Sequence, residues 1–442
     1  MARINRRKVL TGVGTIGGLT IAGCIGEDDP VGDDTTDDTD DTDDTDDTDD
    51  TDDTDDTVDA PGTDPDERDV MHAILQPETG DLGELGTPIA DAAELPAIQL
   101  ANEGSPVTVD VMREDSQTES EPGIARAEDI VAAGYPSFTG AAASDVTIPV
   151  AESVAIPNQV VMISPASTAP AITELDGNYV LRTAPSDALQ GAVMAEVGFE
   201  DQGWETAASL HLNDAYGQAL AEEFRNGFEE LGGEVLDEVP FEPEQASYTS
   251  EIESALTGDP DFLMIVAFPV SGIQMFRDFY GDFDEIPVMV TDGLIEPDLP
   301  NDVDNPMDNV IGTSPAAAGP EADAFADLYE EEYGTSPGVF NAQAYDASAV
   351  QILANLRGGD NDGEVISQQI REVTSGGGEV VGPSNFAEAV DLAADGEEIE
   401  YQGASSPVVF DENGDMTSVA YDIHEFGDYE IEVVDTVDFE AE

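Results

Sequence analysis

The sequence predicts an α/β protein with mainly parallel sheets covered by helices on both faces. Three observations carry that expectation. Short apolar runs have the length of buried strands, and each ends in a polar or turn-forming group. Amphipathic stretches at helical spacing follow several of these runs, and strand–helix alternation implies parallel sheets. The segment from about residue 66 to 442 is long enough for two domains, and 40% hydrophobic residues can supply their cores.

In chain order, residues 1–24 come first. Arg6 and Arg7 precede an apolar, Gly-rich stretch from Val9 to Ile21 that is too short to be a good membrane span. This reads as a secretory leader of the twin-arginine kind, an address and not structure. It ends Leu-Thr-Ile-Ala-Gly-Cys, which resembles the lipobox of secreted lipoproteins, cleaved before the cysteine and lipidated on it. Cys24 is the one cysteine in the sequence, so it has no internal disulfide partner. Residues 25–65 follow as a tether. From 33 to 57 they are almost entirely Asp and Thr, with no apolar face to bury and strong self-repulsion. Such a segment stays extended, up to ~3.3–3.6 Å per residue. It serves as a spacer; weak cation binding is the rival reading.

The charge sets the solvent. The chain carries 100 acidic and 12 basic residues, a net charge of −88. After the leader only eight basic residues remain, all of them arginine. This surface repels itself in dilute buffer, whereas at molar salt the Debye length falls to ~3 Å. The composition therefore predicts a halophilic protein. It also excludes nucleic acid as a partner, which requires a basic face.

The apolar runs of the folded part are Val160 to Ile163, Leu210 to Leu212, Phe262 to Ala267 and Val288 to Val290. They end at Ser164-Pro165, Asn213-Asp214, Pro269 and Asp292-Gly293. Leu220, Phe224, Phe228 and Leu231 form a helical stripe stopped by Gly232-Gly233. Further helices carry Phe325, Leu328 and Tyr329, and Ala344, Tyr345, Ala347, Val350, Leu353 and Leu356. In parallel sheets ligands sit at the carboxyl ends of strands, so the polar clusters closing these runs are the site candidates.

Three motifs in order point to a family: Met-Ile-Ser-Pro-Ala-Ser-Thr-Ala-Pro at 162–170, Leu-Arg-Thr-Ala-Pro-Ser-Asp-Ala-Leu-Gln-Gly at 181–191, and Asn-Asp-Ala-Tyr-Gly at 213–217. Together they resemble the leucine/isoleucine/valine-binding proteins, the amino-acid receptors of ABC importers. Supporting pieces lie at Gly80–Gly86, Ala344–Ala347 and Phe410–Asp415. The resemblance implies the periplasmic-binding-protein type I fold: two doubly wound parallel-sheet lobes joined by three crossovers, closing on a ligand by a hinge motion. By position, lobe 1 is 66–186 plus 315–405, and lobe 2 is 187–314 plus 406–442.

Residue by residue, the resemblance puts the ligand carboxylate against the hydroxyls of Ser144 and Thr168 and the backbone around Ala166 and Ser167, with Thr147 adding a hydrogen bond. Amides and hydroxyls at a helix start hold an anion without an arginine; Ser144 and Thr168 also fit plain N-caps. The ligand ammonium would meet the Ala166 carbonyl, the Thr168 hydroxyl and an acid of lobe 2. The family usually has a glutamate there and this chain has Asp292, which also fits a turn aspartate before Gly293. Tyr216 and Phe268 correspond to aromatic positions lining the cleft, although both also fit core packing. Leu85 lies where the family varies the wall of the side-chain pocket.

Other chemistry has no support. His72, His211 and His424 are far apart, and His211 sits inside an apolar strand. No Cys/His cluster has metal-ligand spacing, and no nucleophile elbow, phosphate loop or dinucleotide fingerprint appears. Gly376–Gly378 reads as a surface loop, Trp204 as a packing residue. The expectation is a non-enzymatic, cofactor-free and metal-free monomeric receptor, lipid-anchored on the outer face of the cytoplasmic membrane. It would bind an amino acid or a related small amide or acid and hand it to ABC permease subunits. The alternative is a sensory ligand-binding protein feeding a chemoreceptor or kinase, since one fold serves both roles.

Overall fold

The structure, a computed structural model, describes residues 69–283 and 286–440. The leader, Cys24 and the Asp/Thr tether lie outside the described residues. Among those described, no helix is long and apolar enough to cross a membrane.

The first sheet contains β1 (Asp69–Gln76), β2 (Thr108–Asp115), β3 (Ser137–Gly140), β4 (Val161–Ser164) and β5 (Val180–Arg182), all parallel, in the order β2-β1-β3-β4-β5. Its crossovers run through α1 (Gly83–Glu103), α2 (Ser120–Ala133) and α3 (Ser144–Val150). The chain then passes into α4 (Asp187–Glu196) and a second sheet. There β6 (Thr206–Leu212), α5 (Ala215–Leu231), β7 (Glu234–Phe241), α6 (Thr249–Ala255), β8 (Phe262–Val266), α7 (Pro269–Asp282), β9 (Val288–Val290), α8 (Leu299–Val303) and β10 (Val310–Pro315) repeat the winding. Its parallel part has the order β7-β6-β8-β9-β10. The two sheets thus share one doubly wound topology. Each has its switch point beside its own first strand, where ligands of such folds bind.

After β10 the chain returns to the first lobe through α9 (Ala322–Tyr333), α10 (Asn341–Gly358), α11 (Gly363–Ser375), β11 (Glu379–Val381), α12 (Phe386–Ala394) and β12 (Ile399–Tyr401). Here α10 packs on α1 and on the first sheet, and the Tyr345 hydroxyl donates to Gln99 Oε1 at 2.6 Å. The chain crosses a third time and adds β13 (Ser418–Gly427) and β14 (Glu430–Glu440) antiparallel to the edge of the second sheet. Asp428 and Tyr429 both have positive φ. That is the backbone of the two-residue hairpin turn whose twist matches its strands. This hairpin is the one antiparallel departure from the expected parallel class among the described strands.

The core follows the predicted stripes. Leu220, Phe224 and Phe228 are buried under the second sheet, and Trp204 stacks on Phe262 with ring centroids 4.3 Å apart. Glycine is required at the end of β3: Gly140 has φ +151°, and a Cβ there would lie 2.1 Å from the Leu75 carbonyl oxygen.

The crossovers are fastened to one helix. The Thr183 hydroxyl donates to the Gln343 carbonyl at 2.8 Å, and the Gln343 amide donates to the Ala316 carbonyl at 3.3 Å. Asp346 accepts from Tyr401 Oη, the Ala404 amide, and the Ser405 amide and hydroxyl. Residues 183, 316 and 404–405 belong to the first, second and third crossover, and Gln343 and Asp346 both lie on α10.

Candidate functional site

The carboxyl ends of the two sheets face each other across a cleft. Its inner part is lined from the first lobe by Leu82, Leu85, Ile89, Ala142–Ser144, Ala166 and Phe340, and from the second by Tyr216, Phe268, Asp292 and Gly293. With its open mouth included, it spans about 320 Å³ of space between atoms.

The cleft has an apolar end and a polar end. Leu82, Leu85, Ile89 and Phe340 supply aliphatic and aromatic wall. Phe340 precedes α10 with φ 66°, a left-handed conformation rare for a bulky residue and a form of local strain that clusters at functional sites. At the polar end the Ser144 hydroxyl accepts from the Ala169 amide at 3.2 Å. Ser144 therefore does not cap its own helix. It ties two loop tips together and keeps its proton free to donate. Thr168 is buried; its Oγ1 lies near the Asp187 carboxyl but does not reach the geometry of a hydrogen bond to it or to any other group. A buried hydroxyl left unpaired costs about 1–3 kcal/mol, so its presence marks a place for a ligand atom.

Asp292 is buried and accepts from the Tyr216 hydroxyl at 3.1 Å; that hydroxyl also pairs with Thr291 Oγ1 at 2.7 Å. Tyr216 stacks on Phe268 with ring planes 3° apart, which sets the hydroxyl toward the acid. Burial pushes the Asp292 carboxyl up to about 6, against hydrogen bonds from Gln190 and Tyr216 that favour its charged form. Asp187, at the start of α4, is a candidate that the sequence reading missed. It is fully buried, and neither carboxylate oxygen has a hydrogen-bond partner. Burial, followed by the charge of Asp292, pushes its carboxyl well above the usual carboxylate range; Thr168 and Arg182 work in the opposite sense. The only sequence signal was Ser186-Asp187 at a helix start, which reads as a cap; Ser186 does cap α4.

Arg182, at the end of β5, holds this corner from behind. Its guanidinium donates to the Thr168 and Ala169 carbonyls at 3.0 Å each, to Thr173 Oγ1 at 2.9 Å and to Asp415 Oδ1 at 2.6 Å. The backbone carrying Thr168 is thereby fixed.

The structure brings Leu85, Ser144, Ala166, Tyr216, Phe268 and Asp292 to the cleft wall, and buries Thr168 beside Asp187 rather than in that wall. It does not bring Thr147 or Ser167 there. The Thr147 hydroxyl bonds the Ala141 carbonyl at 3.1 Å and Ser167 Oγ at 2.7 Å, and Ser167 Oγ reaches the Ala141 and Ala142 carbonyls. These two hydroxyls satisfy carbonyls of the loop beneath the site. His72, His211 and His424 are buried and pair with hydroxyls of Ser137, Ser209 and Ser314; burial pushes His72 down to about 3 and His424 to about 4. Three carboxylates, Glu84, Glu296 and Asp302, converge outside the cleft wall. They are exposed or half-buried, as acid clusters on a surface this acidic commonly are.

Two matched doubly wound lobes, three crossovers and a polar-to-apolar cleft between them define a bilobal solute-binding protein of the type I periplasmic-binding fold. The family model described as periplasmic binding protein matches residues 73–396, and the chain belongs to that family. It is 27% identical over 340 residues to the chemotactic signal transduction system substrate-binding protein BasB of Halobacterium salinarum, covering 74% of this chain and 80% of that one. It is 25% identical over 368 residues to the Leu/Ile/Val-binding protein BraC3 of Rhizobium johnstonii, covering 81% and 92%. Among solved structures it resembles a leucine-binding protein of Thermotoga maritima, with a TM-score of 0.70, 24% identity and coverage of 83% and 98%. It also resembles a benzoate-bound solute-binding protein of R. palustris, with a TM-score of 0.69, 15% identity and coverage of 85% and 98%.

Proposed function

We propose that this chain is the solute receptor of an ABC importer and captures an α-amino acid with an aliphatic side chain. One observation carries the choice of ligand. Asp292 lines the polar end of a cleft whose other end is apolar, and behind it lies the buried Asp187, near enough for the two charges to act on each other, with the buried Thr168 hydroxyl beside it. Arg182 offsets part of the Asp187 charge but is itself paired with Asp415; buried carboxylates short of counter-charge are costly, and a ligand ammonium supplies the balance. The Ser144 hydroxyl is placed to donate to the ligand carboxylate, and Leu82, Leu85, Ile89 and Phe340 would receive the side chain. An aromatic acid such as benzoate fills an apolar wall but brings no cation. The Leu/Ile/Val-binding relatives support the same choice.

The twin-arginine-type leader, the lipobox-like Cys24 and the Asp/Thr tether support a receptor outside the cell, anchored by lipid on the outer face of the cytoplasmic membrane. The excess of acids suits it to molar salt and to a monomeric, soluble receptor domain that passes solute to permease subunits without chemistry of its own. The name of the Halobacterium relative favours one second reading, delivery to a chemotaxis receptor. Uptake of labelled leucine by a deletion strain separates the two: lost uptake with intact chemotaxis supports import, and the reverse supports sensing.

Calorimetric titration in molar KCl with L-leucine, L-isoleucine, L-valine and benzoate tests the ligand assignment. The aliphatic amino acids bind and benzoate does not; Thr168→Ala abolishes the heat while the melting temperature stays near that of the parent. Benzoate binding in place of leucine overturns the assignment.

A further inference from the structure

Outside the solute pocket, and sharing Ala143 and Phe268 with it, the cleft widens into an outer chamber of about 1260 Å³ including its mouth. Its charged lining is entirely acidic. Asp81, Glu119, Glu121 and Asp145 come from the first lobe, and Asp214, Glu242 and Glu244 from the second; no Lys, Arg or His lines it. The acids act on one another across the gap. Burial pushes Asp81 up to about 6, and the charge of Glu244 adds to it. Burial likewise pushes Asp214 up to about 6, with Asp145 and Asp81 adding. Closing the lobes therefore gathers negative charge at the mouth.

Asp81 is the second, independent observation. It follows β1 in the first lobe, yet it caps α7 of the second. Its Oδ1 accepts from the Ser271 amide and hydroxyl, at 2.8 Å each, and its carbonyl accepts from the Val270 amide at 3.3 Å. The side chain is only 4% exposed, and Oδ2 has no hydrogen-bond partner. Sealed from solvent in the wall of an acidic chamber, this oxygen projects its charge into the chamber unscreened, which points to a positive charge held beside it with its water retained. The chamber acids are not among the carboxylate triads whose oxygens converge to chelating distance among the described residues. That argues for an ion keeping much of its water and against a tightly caged divalent metal.

We infer that the mouth of the cleft, at Asp81 with Asp214 and Glu244, is a binding site for a hard alkali cation that is complete only when the lobes are closed. Resting on the reading of the inner pocket as the solute site, it makes cation uptake and solute capture one linked equilibrium. With the cation at ten times its own dissociation constant, capture strengthens by about tenfold over a cation-free buffer.

The test holds ionic strength constant and changes the cation, so that screening is the same throughout. In molar KCl or NaCl, small-angle scattering of the full chain without solute gives the radius of gyration of a more closed ensemble; in equimolar choline chloride, whose cation is too bulky and soft for the site, it increases. Asp81→Asn, which keeps an oxygen for the Ser271 amide but removes the charge, gives the same radius in both salts, and Glu244→Gln reduces the difference. A parallel titration with L-leucine shows affinity falling about tenfold from KCl to choline chloride for the parent and not for Asp81→Asn. Equal radii for the parent in the two salts, or an undiminished cation effect in Asp81→Asn, overturn the proposal. Leucine failing to bind in either salt while the scattering difference persists tells against the amino-acid reading and leaves the cation site standing.

Discussion

Replacing Asp292 by Asn trades solute affinity for stability in a way the geometry sets. The substitution preserves shape and an acceptor for Tyr216 while removing a buried charge. A hydrogen bond to a charged group contributes about 1.5–3 kcal/mol. Asp187 remains in place, so the loss stays below the cost of leaving a buried charge wholly unpaired. About 2–3 kcal/mol corresponds to roughly 30- to 150-fold weaker binding of L-leucine. The empty protein should respond in the opposite direction. A carboxyl whose folded value is about 6, above its unfolded value, favours the folded state at low pH. Its cost appears as pH rises from the unfolded to the folded value and is complete above about 6. With the folded value roughly two pH units above the unfolded one, that cost is about 3 kcal/mol at neutral pH, and Asn does not incur it. Calorimetric titration and thermal melting of the two proteins in the same molar KCl buffer read both effects. Unchanged affinity, or a lower melting temperature for the empty variant, would refute the reasoning.

Three further outcomes follow from the same geometry. Leucine affinity of the parent falls by about tenfold per pH unit below about pH 6, because protonated Asp292 no longer pairs with an ammonium; titrations between pH 5 and 8 at fixed salt read the slope. Leu85→Ala lowers the preference for leucine over alanine by about 1–3 kcal/mol through lost side-chain contact, seen as a reduced ratio of their dissociation constants. Arg182→Met leaves Asp415 without its ion pair and the Thr168 and Ala169 carbonyls without their donor, which lowers stability by about 3–5 kcal/mol and shows as a fall in melting temperature.

Much of this site was legible because strand ends are legible. Ser164, Asn213 and Asp292 follow apolar runs that could only be buried strands, and the doubly wound fold places such ends together. Side-chain hydroxyls were harder. Thr147, Ser167 and Thr168 look alike in sequence, but two of them are consumed by carbonyls of their own loop and one is left unpaired. Asp187 was hidden behind the cap signal of Ser186-Asp187, because an acid in the first turn of a helix is ordinarily a surface device. Phe340 lies some 170 residues beyond the Ser-Thr motif, and only the return of the chain through the second crossover brings it to the wall. Asp81 acts on a helix 190 residues away, a pairing that no local pattern contains.

The fastening of all three connecting strands to Gln343 and Asp346 has a mechanical consequence. A door screwed to one jamb turns about the line of its screws, and here both fixing points sit on a single rigid rod of one half. Flexure is then confined to the short spans of backbone between that rod and the second sheet, so the arc swept at the mouth is governed by residues that never meet the solute. Exchange of Gln343 for Ala frees the second span alone, since Thr183 donates to the backbone carbonyl, and widens the range of gape, leaving the chemistry of the pocket as it was.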